Sequence, residues 1–212
     1  GEPYLAIINR LDKPVAGLVL YAKNRKAAGI LSARSGEHAI GKYYLAVCKG
    51  HFDEKKGELE DYLAKDVGSN MSHVVSESAP GAKRAILTYE VLEEREIRSG
   101  TNEGQIYSLL MIRLITGRHH QIRVQMASRG HALYGDSKYN PDLAGHGAGD
   151  GPVRAEASGR PGRNAPGTLR ITPALYAYRM DFINVGGSDR ISVDVKPSGD
   201  VWDTLKSCGF SV

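Results

Sequence analysis

The sequence predicts an α+β fold built on a mainly antiparallel mixed sheet flanked by helices. Two observations carry that expectation. Several strand-like segments are long, and the few helical patterns do not alternate regularly with them as a parallel βαβ sheet would require. The length, 212 residues, suits one domain with a sizeable core, so residues 1–212 are expected to form a single catalytic domain.

Tyr4 to Ile8 is short and apolar and reads as a strand. It runs into Asn9-Arg10-Leu11-Asp12-Lys13-Pro14, where the proline disfavours helix through Lys13 and predicts a loop. Gly17 to Ala22 reads as one buried strand. Asn24 is placed to cap a helix over Arg25 to Ala33, whose Ala27, Ala28, Ile30 and Leu31 form one apolar stripe. Lys42 to Lys49, Ala85 to Leu92 and Ile106 to Ile115 are strand candidates. Thr116 to Ala127 reads as a turn opening a helix, with Gly130 as its stop. Residues 142–168 are rich in Gly, Ala, Pro and Arg and predict a flexible surface loop. Strands over Ala174 to Ile183 and Arg190 to Val195, and a helix around Val201 to Ser207, close the chain.

Composition bounds function loosely. No apolar run approaches the ~18 residues of a membrane span, and the first residues lack a secretory leader pattern. Two cysteines, Cys48 and Cys208, are too few for a disulfide framework and suit a reducing cytoplasm. The formal net charge of +4 is compatible with a polyanionic partner without establishing one.

Three segments carry chemistry. Asp12, between Arg10 and Lys13, can stay ionised when partly buried and is a usable nucleophile at a sugar carbon. On residue types alone, a turn-capping loop aspartate is the simpler reading. In a strand, Tyr43 and Tyr44 point to opposite faces, so that one packs in the core while the other faces a cleft, where it can stack on a base or move a proton. Two ordinary strand aromatics explain the pair as well. Thr116 to Arg123 gathers donors that attract an anion: Arg118, His119, His120, Gln121 and Arg123. His119 and Arg123, four apart, share a face if the helix includes both. A solvated basic helix face is the competing reading.

Together these segments resemble the RluA family of RNA pseudouridine synthases. Arg10-Leu11-Asp12 followed by Gly17 is similar to the family's arginine-leucine-aspartate motif. Lys42-x-Tyr44-x-Ala46 is similar to its lysine-x-tyrosine strand. Thr116 to Arg123, then Gly130 and Gly135-Asp136, is similar to its third motif. The resemblance runs from about Tyr4 to about Ile183. It implies the pseudouridine synthase fold, with Asp12 as nucleophile and Tyr44 stacking on the target base and removing a proton. It further implies an Arg123–Asp12 ion pair, Ile122 lining the pocket, and Arg10 filling the gap left by a flipped nucleotide. Arg118, His119 and Gln121 join the substrate-binding set. Asn9, Pro14-Val15-Ala16, His119 and Gln125 depart from the family's usual residues and bear on the choice of RNA. The resemblance also implies a segment before the aspartate loop that this sequence does not include.

The expected reaction isomerises uridine to pseudouridine in tRNA or rRNA. It needs no cofactor and no metal, and the expected state is a cytoplasmic monomer with no membrane partner. Two other readings stay open: a catalytically inactive RNA-binding module of the same fold, and a metal-dependent hydrolase using His119, His120 and Asp136.

Overall fold

A computed structural model describes residues 3–98, 102–140 and 172–212. The predicted loop at 142–168 lies outside the described residues. In chain order the elements are β1 (Ala6–Ile7), β2 (Ala16–Gly17), β3 (Tyr21–Ala22), α1 (Arg25–Gly36), β4 (Gly41–Lys49), β5 (Lys56–Asp66), β6 (Met71–Val75), β7 (Lys83–Glu96), β8 (Ile106–Leu114), α2 (Gln121–Ala127), β9 (Leu175–Ile183), β10 (Arg190–Asp194) and α3 (Asp200–Ser207).

Among the described residues, an eight-stranded sheet runs β10-β9-β4-β8-β7-β5-β6, and β2 joins it through β9. The β2–β9 pair is parallel. The pairs along the main path are antiparallel. The expected α+β class is therefore what forms, and the single parallel strand makes the sheet mixed.

β4 sits centrally and shows how the period of two sorts side chains. Tyr44, Ala46 and Cys48 enter one core with Leu110 and Ile112 of β8 and Ile122 and Met126 of α2. Leu45 and Val47 enter a second core with Leu109 of β8 and Trp202 and Leu205 of α3. The sheet is thus covered by α2 on one face and α3 on the other. Burial of these aliphatic and aromatic side chains stabilises the fold by about 1.5–3 kcal/mol each.

Three expectations need correction. Gly17 to Ala22 is not one strand. Gly17 has φ +124°, and the chain turns there, so that β2 lies along β9 while β3 pairs with β1. The hairpin β5–β6 forms in a stretch for which the sequence patterns predict no element. β5 carries Glu58, Glu60 and Asp61, and its half-solvated position near the sheet edge needs few apolar residues. α2 begins only at Gln121, so His119 precedes the helix and shares no helical face with Arg123.

α1 begins as expected, with Asn24 Oδ1 accepting the Ala27 N–H at 2.8 Å. The stop after α2 also matches: Gly130 adopts φ +81° and its N–H reaches the Ala127 carbonyl.

Candidate active site

The loop between β1 and β2 carries Asp12, and its ends are tied to the body of the protein. Ile8 N–H donates to the Leu20 carbonyl, and Leu20 N–H donates to Asn9 Oδ1 at 2.8 Å. Asn9 thereby closes the loop on itself. Within it, Val15 N–H reaches the Asp12 carbonyl. At the loop's far end Gly17 lies against β9 so closely that a Cβ would stand 2.2 Å from the Ala177 carbonyl oxygen. Leu18 N–H donates to that same oxygen. Only glycine allows this approach.

A cleft of about 410 Å³ opens beside the loop. The expected catalytic and substrate-binding residues line it: Arg10, Asp12, Tyr44, Arg118, His119, Gln121, Ile122 and Arg123, while Tyr43 and Asp136 do not. Lys42 also lines it, though sequence reasoning placed it only in a motif. Among the described residues Asp12 is the one carboxylate in the lining, which also holds Arg10, Lys42, Arg118 and Arg123. The cleft is therefore a basic recess around a single acid, within the size range of about 300–1,000 Å³ typical of ligand pockets.

The floor comes from α2 and β4. Ile122 is buried in the core with Tyr44. Arg123 does not form the expected ion pair with Asp12. Its Nε donates to Asp136 Oδ2 at 2.7 Å and its Nη2 to Asp136 Oδ1 at 2.6 Å. Asp136 is fully buried, so its carboxylate needs a counter-charge, and the guanidinium supplies two bonds at once. Lys138 and Tyr139 donate their backbone N–H groups to Oδ1 as well. Burial alone would lower the Arg123 pKa, but the Asp136 bonds and charge outweigh it and hold it above its ordinary value. The charge of Asp12 adds in the same direction from across the cleft.

Tyr44 is nearly buried, and its phenol is pushed up to about 12, first by burial and then by the negative charge of Asp12. At neutral pH it is a phenol. Burial lowers the Lys42 pKa. His119 and His120 stack with ring centroids 3.8 Å apart. His119 Nδ1 meets Ser72 Oγ at 2.9 Å, and His120 Nδ1 meets Tyr139 Oη at 2.7 Å. Burial lowers both pKa values, that of His120 to about 4 with the Arg123 charge contributing.

Gln121 lines the cleft but its amide is spent on the scaffold. Its Oε1 accepts from Thr116 Oγ1 at 2.8 Å and from Arg118 N–H at 2.9 Å, and its Nε2 donates to the Ile86 carbonyl at 3.0 Å. It straps the turn before α2 to β7. Arg118 lies at the rim, with Nε on the Arg84 carbonyl. Arg10 is exposed at the mouth.

Sequence reasoning missed the structural parts of Asp136 and Tyr139. Asp136 was seen only within a motif and as a conceivable metal ligand, and its carboxylate is instead occupied by Arg123. Burial is what makes that pair, and no local pattern announces it.

The geometry agrees with what the chain is similar to. A family model described as RNA pseudouridylate synthase matches residues 1–128, more than half the chain. An uncharacterized RNA pseudouridine synthase, YhcT, of Bacillus subtilis is 33% identical over 132 residues, 62% of this chain and 40% of the relative. Ribosomal large subunit pseudouridine synthase D of Neisseria meningitidis serogroup A is 30% identical over 206 residues, 96% of this chain and 48% of the relative. The chain thus spans about half the length of the curated relatives it matches. The solved structure of human RNA pseudouridylate synthase domain containing 1 superposes with a TM-score of 0.64 at 19% identity, covering 97% of this chain and 80% of that one, which shows the fold. This chain belongs to the RNA pseudouridylate synthase family, as its resemblance to RluA-type enzymes implied.

Proposed function

We propose that this chain is the catalytic domain of an RNA pseudouridine synthase that isomerises uridine to pseudouridine in tRNA or rRNA, with Asp12 as nucleophile. One observation carries the reading: a single carboxylate stands in a basic cleft together with a cleft-facing tyrosine and a fixed arginine. Relatives named for tRNA and for the large ribosomal subunit support both substrate classes.

The reaction breaks the bond from uracil N1 to ribose C1′ and makes one from C5 to C1′. N1 gains a proton and C5 loses one, so atoms balance without a co-reactant. The base must leave the RNA stack, which costs a few kcal/mol, and Arg10, which lines the cleft, would fill the vacancy. Arg118 and Lys42 would take phosphates, positioning the strand without reading it.

Inside, Tyr44 and Ile122 offer an apolar surface for the loosened ring, and exclusion of water keeps it from escaping. Asp12 has three routes: attack at C1′, attack on the ring, or removal of a sugar proton. The phenol of Tyr44 bears on the later step. A pKa near 12 opposes its service as a base at the outset. If Asp12 becomes an ester, the charge that helps raise that pKa is gone, and proton acceptance by Tyr44 becomes less costly.

Two free cysteines, Cys48 and Cys208, support a reducing, cytoplasmic setting. Among the described residues no helix is long and apolar enough to cross a membrane. The proposed state is a monomer.

The test is conversion of uridine in tRNA and rRNA transcripts, mapped by pseudouridine-specific chemical modification. The unaltered chain should convert at least one site, and Asp12→Asn should convert none while melting as the parent does. Turnover by well-folded Asp12→Asn removes the nucleophile assignment. Tight RNA binding without conversion by the parent chain favours the inactive binding module.

A further inference from the structure

Tyr139 is absent from the cleft lining, yet it touches three of the supports beneath it. Its hydroxyl oxygen accepts the Ser72 N–H of edge strand β6 at 2.8 Å. The same hydroxyl lies 2.7 Å from His120 Nδ1. Its ring carries the Arg123 guanidinium 5.0 Å from the centroid. Its own N–H donates to Asp136 Oδ1, the oxygen that also receives Arg123 Nη2.

Counting protons favours one direction for the Tyr139–His120 bond. A phenol has one proton to give, and the Ser72 N–H already occupies an acceptor position on its oxygen. Among the described residues the one acceptor in reach of the Tyr139 hydroxyl proton is His120 Nδ1. If the phenol donates there, Nδ1 is unprotonated and the proton of the neutral imidazole sits on Nε2. His120 lines the cleft, and an Nε2–H on its ring would be a donor available there. The left-handed backbone of His120, at φ +53°, and the stacked His119 ring fix where that ring lies.

We propose that Tyr139 is a positioning residue that holds His120 as the Nε2–H tautomer and packs its ring against the Arg123 guanidinium. The catalytic consequence rests on the pseudouridine synthase reading; the tautomer does not. An Nε2–H donor in the cleft fits a uracil carbonyl oxygen, the group that must be held while the detached ring turns.

The experiment is nitrogen-15 NMR of histidine-labelled full chain, with His120 assigned by loss of its signals in His120→Asn. The parent protein at pH 7 should show His120 with Nδ1 as the bare nitrogen. An Nδ1–H signal in the parent overturns the proposal without any variant having to fold. In Tyr139→Phe, which keeps the ring under Arg123, the two tautomers should mix, and kcat on a converted transcript should fall on the order of 10-fold with KM little changed, as expected for a misplaced group in a formed site. An unshifted tautomer in folded Tyr139→Phe, or a shifted tautomer with unchanged kcat, also overturns it. If the parent chain converts no transcript, the functional reading fails by itself, while the nitrogen shifts still decide the tautomer.

Discussion

Arg123 and Asp136 form a buried two-point ion pair, and neither charge has water to fall back on. Removing one partner strands the other, which typically costs about 3–5 kcal/mol. Asp136→Asn should lose stability of that order in urea unfolding. The double variant Arg123→Met/Asp136→Leu leaves no lone charge but strands the Lys138 and Tyr139 N–H groups, so it should regain part of the loss while staying inactive. If Asp136→Asn unfolds at the parent's midpoint, the pair does not hold the floor of the cleft.

Gly17 and Gly29 make opposite predictions for the same substitution. A Cβ on Gly17 would collide with the Ala177 backbone at 2.2 Å, and its φ of +124° strains any L side chain. Gly17→Ala should destabilise by a few kcal/mol or push the Asp12 loop off β9, with loss of activity either way. Gly29 lies within α1, and its Cβ would meet nothing within 4 Å. Gly29→Ala should stabilise by roughly 0.5–1 kcal/mol. Thermal unfolding of both proteins reads the contrast; equal effects would mean the close approach at Gly17 is not a constraint.

The contrast shows which parts of the molecule were legible in sequence. Short-range rules placed β4, α1 and the stop at Gly130, because alternation, capping and left-handed glycine are local properties. The three chemical segments, read separately, all reach one cleft. What local rules could not reach was pairing across space. Arg123 was matched with Asp12 because both carry the family's chemistry, but burial gave it Asp136. Gln121 was read as a ligand-binding amide, and its three bonds to Thr116, Arg118 and Ile86 make it a strap. The β5–β6 hairpin gives only a weak apolar signal, since β5 is acidic, yet its partner strand supplies Ser72 to the His119 and Tyr139 contacts.

Tyr43 and Tyr44 are adjacent in β4 and should differ sharply in consequence. Tyr44 faces the cleft and the core. Tyr43 faces away, with the Arg179 and Arg113 guanidiniums 5.3 and 6.0 Å from its ring centroid. Tyr44→Phe keeps the stacking surface and loses the proton-moving group, so kcat should fall by about 10²–10⁴-fold, the usual scale of acid–base catalysis. Tyr43→Phe keeps its ring on the two guanidiniums and should convert uridine at nearly the parent rate. Similar losses in the two variants would reverse the assignment of faces.

The stacked histidines set the acid limb of stability. His120 is held near 4, below its ordinary 6.5, by burial and the Arg123 charge, and His119 is lowered too. The folded state therefore binds their protons less readily than the unfolded chain does. The stability they contribute is present above about pH 6.5 and is lost as pH falls toward 4. Glu94 and Asp181, each held near 2, act in a separate window below their ordinary values of 4.5 and 3.8. Between pH 6.5 and 4.5 the histidines should dominate, His120 most of all. His120→Asn removes the titrating group and suits the left-handed backbone at that position. Its unfolding free energy should fall less steeply over that interval than the parent's. Parallel slopes from urea melts at pH 6.5, 5.5 and 4.5 would show that His120 is not held neutral by the fold.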